Sequence, residues 1–139
     1  MTRKLRNLLI FTAFSCLISC KEKEEIELKP GAYYAFVYDK YHYGIAKILV
    51  LDSVGIHLLV YQNKYRSIPE KLYSDSLQIS SMSFSDELSN GYLPLKRDLF
   101  LQMKPEFIKM EEVSKEEIDY YRIWKENPVY LDGEFMGKE

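Results

Sequence analysis

The chain has 139 residues, 19 basic against 21 acidic, for a formal net charge of −2. That length fits one domain and not two, and the missing basic excess argues against nucleic acid or an anionic lipid surface as an electrostatic partner. With 2 cysteines and 2 histidines against 12 tyrosines, neither a disulfide framework nor a metal cluster has support, and phenolic rings are the compositional outlier.

Arg3, Lys4 and Arg6 open the chain, and an uncharged apolar run follows from Leu8 to Ile18. The run is far shorter than the ~20 residues a membrane-spanning helix requires, so it reads as a processing segment. It ends in Leu17-Ile18-Ser19-Cys20. These four residues resemble the lipobox of bacterial lipoproteins. The resemblance implies that residues 1–19 are a signal peptide and that Cys20 is the lipidation site. Its thiol then carries a diacylglyceryl group and its freed amine an acyl chain such as palmitate. Cys16 leaves with the signal, and the mature chain becomes 16 basic to 21 acidic, net −5. Each buried methylene contributes about 0.8 kcal/mol, so two or three acyl chains anchor stably where one is marginal. The expected membrane contact is therefore the lipid on Cys20.

Residues 20–30 are expected to form a charged tether, and the run Lys21-Glu22-Lys23-Glu24-Glu25 at its head has no reason to pack. The residue after Cys20 is not the aspartate that marks inner-membrane retention in enteric lipoproteins. A lysine followed by acidic residues resembles the surface-export signal of Bacteroidetes lipoproteins. The implied address is the cell envelope, anchored in the outer membrane, with periplasmic and outward-facing display both open.

The domain is expected over residues 31–127. Strand-like runs occupy 32–38, 43–51 and 56–62, all rich in β-branched, aromatic and aliphatic residues. Asp39-Lys40-Tyr41-His42 connects the first pair. Asp52-Ser53-Val54-Gly55 is a hairpin turn by chemistry, with Gly55 free to take a positive φ. The runs are apolar at both parities, so both sheet faces should be covered, which favours a curled sheet or small barrel. Leu77-Gln78-Ile79 alternates like a brief strand, Pro94 marks an edge segment, and Phe107-Ile108-Lys109-Met110 reads as the last strand. Ser114-Lys115-Glu116-Glu117 is a capping box opening a helix to about Glu126, before Pro128. Tyr120, Tyr121 and Trp124 share one arc of that helix and should dock on the sheet. Residues 128–139 look loosely held. The predicted class is mainly β (α+β): a curved antiparallel sheet or SH3-like barrel with one C-terminal helix.

No nucleophile elbow, phosphate loop or metal-ligand spacing is present. The sequence predicts a non-enzyme with no catalytic residue, no metal and no cofactor. His57, mid-strand among apolar neighbours, reads as a satisfied core or surface histidine. The tyrosines have two readings. Pleated surfaces favour aromatic rings whose hydroxyls reach water. Alternatively, the crowd at the first hairpin (Tyr33, Tyr34, Tyr38, Tyr41, His42 and Tyr43) exceeds what a small core can bury. Tyr38, Tyr41, His42 and Tyr43 are then the candidate partner-binding residues, rigid amphipathic contacts of the kind that dominate protein hot spots.

Gly31 to Leu51, and Leu93-Pro94-Leu95 through Trp124 with its acidic helix start, resemble small β-barrel immunity domains of bacterial toxin systems. Many such proteins are cytosolic, so a lipidated member would meet its toxin outside the cytoplasm. The expectation is a lipid-anchored envelope protein that captures a protein partner, with a surface glycan or nutrient-binding lipoprotein as the alternative.

Overall fold

The computed structural model describes residues 25–131. Cys20, the lipobox, the head of the tether and the tail from residue 132 lie outside the described residues. The three apolar runs form β1 (Ala32–Val37), β2 (Tyr43–Leu51) and β3 (Gly55–Val60). They pair as antiparallel hairpins, with Ala35 opposite Ile45 and Ala46 opposite Val60. β4 (Tyr92–Lys96) adds to β3, and β5 (Glu106–Met110) adds to the far side of β1. The result is one five-stranded antiparallel sheet in the order β4-β3-β2-β1-β5. Between β4 and β5 the chain turns through a short helix, α1 (Arg97–Gln102), and after β5 it forms α2 (Lys115–Trp124).

Alternation, broken by a bulge in β2 that puts Leu49 and Val50 on the same face, sorts the side chains onto two faces. Tyr34, Phe36, Ile48, Ile56, Leu58 and Leu95 lie on one, packed against Phe100 and Met103 of the α1 region and Leu28 of the entering chain. Tyr33, Ala35, Ile45, Leu59 and Tyr92 lie on the other, under Trp124, Leu72 and Leu88. Each fully buried aliphatic or aromatic side chain contributes about 1.5–3 kcal/mol relative to exposure. Each face of the sheet thus carries its own buried apolar cluster.

That two-sided covering also explains why the SH3-like barrel is not formed. Helix α1 shields one face, and α2 with the 61–90 connection shields the other. The sheet has no apolar face left to close upon, and β4 and β5 remain its two ends. Pro94 lies on the terminal strand β4, as its missing N–H requires. Leu77-Gln78-Ile79 contributes an isolated bridge, Tyr61 to Ile79, rather than a strand. The turn at 52–55 is present, with Asp52 Oδ1 accepting from the Val54 and Gly55 amides at 2.9 and 2.8 Å. Gly55 does not take a positive φ. Glycine is needed there because a Cβ would stand 2.3 Å from the Leu95 carbonyl oxygen of β4.

The capping box is formed as the motif requires: the Glu117 amide donates to Ser114 Oγ at 3.1 Å, and the Ser114 amide donates to the Glu117 carboxylate at 2.9 Å. The start of the expected tail is not loose. The Leu131 amide donates to the Pro94 carbonyl at 3.0 Å, extending the sheet edge beyond β4. None of the described helices is long and apolar enough to cross a membrane.

Candidate functional site

The β1–β2 hairpin ends in a loop shaped by one carboxylate. Asp39 Oδ1 accepts from the Tyr41 amide at 2.7 Å, and its two oxygens lie 2.9 and 3.0 Å from His42 Nδ1. The Tyr38 and Asp39 amides both donate to the His42 carbonyl. Hydrogen bonding from the Tyr41 amide, followed by the bond to His42, holds the Asp39 carboxyl below the usual carboxylate range. The loop is thus a turn whose own side chains fix it.

On this turn stand Tyr38, 42% exposed, and Tyr41, 68% exposed, with Val37 beside them also exposed. Lys64 crosses from the neighbouring segment and sets its ammonium 3.9 Å from the centre of the Tyr38 ring. Desolvation in that position pushes the Lys64 pKa down, opposed by the nearby Asp39 charge. Lys64 is placed there by an antiparallel bridge between Tyr43 and Tyr65, each amide donating to the other's carbonyl.

The four candidate residues therefore divide. Tyr38 and Tyr41 present their rings to solvent, and His42 is half-buried and tied to Asp39. Tyr43 is half-buried and packs with Tyr65 against the second core cluster. Tyr33 and Tyr34, which the sequence places in the same aromatic crowd, are core residues at 3% and 1% exposure.

A second cluster was not legible in the sequence. His57, 0% exposed, lies 2.5 Å through Nδ1 from the Tyr92 hydroxyl and 2.7 Å through Nε2 from Asp52 Oδ2. An ionised carboxylate only accepts, so Nε2 carries the proton and Nδ1 accepts from Tyr92. Tyr130 also donates to Asp52 Oδ2. The Trp124 and Tyr121 rings close over the imidazole at 4.4 and 4.8 Å between centroids. Burial works against the Asp52 charge, but the bonds from Tyr130, His57 and the Gly55 and Val54 amides outweigh it and hold the carboxyl far below its ordinary range. Burial pushes the His57 pKa down despite Asp52. Both ring nitrogens are occupied and the imidazole is sealed, so this arrangement joins elements and offers no surface to a substrate.

Lys47 is buried as well. It lies mid-β2 and donates to Glu117 Oε2 at 2.8 Å and the Glu112 carbonyl at 3.1 Å. Among the described residues, no group of three or more His, Cys, Asp or Glu side chains is arranged to hold a metal ion. An open groove of about 730 Å³ runs between α2 and the serine-rich connection, with Ile79, Asn90, Asp119 and Tyr120 in its lining. No family model matches the chain, and no curated protein or solved structure is significantly similar to it.

Proposed function

We propose that the chain is a lipid-anchored envelope protein that captures a protein partner with the tip of its β1–β2 hairpin, as an immunity-type neutraliser would. The observation that carries this reading is the exposure of Tyr38 and Tyr41 on a turn that Asp39 holds in one shape. A backbone already fixed in shape, carrying side chains with only two rotatable χ angles, loses little conformational entropy on binding, which is what makes tyrosine effective at interfaces. The lipobox resemblance at Leu17–Cys20 supports the anchor and the envelope address, and the sealed position of His57 supports a binding role over a catalytic one.

Affinity capture with the full chain in detergent tests the reading. Envelope extracts should yield one discrete partner with the native protein. Tyr41→Ala, which removes an exposed ring without touching the core, should reduce its recovery at least about tenfold. Equal recovery by the variant overturns the proposal. The groove beside α2 favours a second reading, glycan or nutrient capture, because apolar Ile79 and Tyr120 there adjoin the polar Asn90 and Asp119 side chains. Glycan-array binding that survives Tyr41→Ala and is lost in Asn90→Ala would support that alternative.

A further inference from the structure

We infer that the hairpin tip recognises a carboxylate-rich segment of a protein partner; this rests on the reading of the tip as the capture surface. The chain as a whole is acidic, yet its tip is not. Lys40 lies on the turn with its ammonium 5.4 Å from the Tyr41 ring, and Lys64 covers the Tyr38 ring at 3.9 Å. Arg66, one residue past the bridged Tyr65, is exposed and has no acidic partner among the described residues. The one carboxylate on the turn, Asp39, spends its oxygens on His42 and the Tyr41 amide. The tip therefore presents Lys40 and Lys64 beside two rings, with Arg66 two residues along from Lys64, against the single carboxylate of Asp39 on the turn.

Distance protects this local sign from the net negative charge elsewhere. At physiological ionic strength the screening length is about 8 Å, so an incoming segment responds to the charges it touches. The chemistry is selective as well. The Lys40 ammonium beside its ring, and that of Lys64, which spends one N–H on the Tyr61 carbonyl at 3.5 Å, keep further donors for carboxylate oxygens, while the ring edges accept apolar side chains of the same segment. A flexible lysine in water would first have to be ordered; Lys64 is already placed by the Tyr38 ring and the Tyr43–Tyr65 bridge.

The test uses the full chain in detergent micelles with poly-L-glutamate as probe, read by biolayer interferometry at low and physiological salt. Native protein should bind, more weakly as salt rises. The Lys64→Gln plus Arg66→Glu variant should bind at least about tenfold more weakly, because interfacial charge contacts set both encounter and retention. Lys64→Arg should retain binding, and Lys115→Glu with Arg122→Glu on α2 should remain within about twofold of native. Thermal melts within a few degrees of native qualify each variant as folded, and the Lys64→Arg result keeps the test decisive if the double variant is not. No binding, equal loss in the α2 control, or loss of binding in Lys64→Arg overturns the inference. Preference for dextran sulfate over poly-L-glutamate also overturns it, in favour of an acidic polysaccharide. Partner capture that Tyr41→Ala abolishes but the charge variant leaves intact overturns the acidic-segment inference alone. Capture indifferent to Tyr41→Ala removes the tip reading beneath it.

Discussion

His57 sits where three distant parts of the chain meet: the Asp52 turn, Tyr92 on β4 and the Trp124–Tyr130 segment. Truncating it leaves a cavity under Trp124 and strips the Tyr92 hydroxyl and the Asp52 carboxylate of a partner at once. His57→Ala should therefore cost about 3–5 kcal/mol in urea unfolding, and Tyr130→Phe, which removes one bond to Asp52, about 1–2 kcal/mol. The same site sets a pH dependence. The folded state keeps His57 neutral, whereas an unfolded chain takes up a proton below about pH 6.5. Protons then favour unfolding, so stability should fall as pH drops from 7.5 toward 5, and less so in His57→Gln. Asp52 acts in a lower window: its depressed pKa makes its contribution complete above about pH 4 and progressively lost below it. Melting curves from pH 7.5 down to about pH 2 check both windows, and a flat profile for the native protein from 7.5 to 5 would contradict the first. The sequence reading of His57 as a satisfied core or surface histidine and of 52–55 as a turn holds, but the partners that His57 and Asp52 take from β4 and the chain after α2 were not readable. Asp52 and Tyr130 are 78 positions apart, and periodicity carries no information on such a pairing. The tyrosines illustrate the same boundary. Because both sheet faces are covered, Tyr33 and Tyr34 are both buried while Tyr38 and Tyr41 beyond the strand end are exposed, and composition alone does not separate the pairs.

Among the elements, α2 is joined to the sheet at its N-terminus by a residue with two tasks. Glu117 closes the capping box with Ser114 and also pairs with the buried Lys47 of β2. Losing the cap alone, in Ser114→Ala, should cost about 1 kcal/mol. Losing the carboxylate strands Lys47, only 2% exposed, without its counter-charge, so Glu117→Ala should cost about 3–5 kcal/mol. Adding Lys47→Met to that variant should restore much of the loss, since a buried pair exchanges well for apolar packing. Urea unfolding of the three variants checks the order, and equal costs for Ser114→Ala and Glu117→Ala would contradict it. The box itself was legible because its spacing is a local code. β2 was legible at its full length because an apolar run bounded by turn residues has few other readings. Helix α1, six residues of Arg97–Gln102, was not legible: two turns are too short to show a helical period, and α1 forms because Phe100 is wanted in the core beneath Tyr34, 5.7 Å away ring to ring.

For the whole molecule, covering both faces of the open sheet leaves few rings in solvent: Tyr38 and Tyr41 at the β1–β2 tip, Tyr73 in the connection after β3, and Phe107 on the end strand β5. If Cys20 carries the anchor, Cys20→Ala should abolish palmitate labelling and block signal cleavage, leaving an unprocessed precursor, while Cys16→Ala should alter neither. The net-negative domain has no electrostatic reason to stay on an anionic bilayer without its lipid. Metabolic labelling with a gel-shift assay checks this; normal labelling and maturation of Cys20→Ala would contradict the lipoprotein reading.

The central claim, capture of a protein partner by the hairpin tip, is tested most directly by a photo-cross-linking residue placed in living cells at Tyr41, with Ile123 on the exposed face of α2 as comparison; both positions are open to solvent, at 68% and 58%. The account predicts one discrete higher-mass adduct from position 41 and none of that mass from position 123. The same adduct from both positions, or none from position 41, would contradict it.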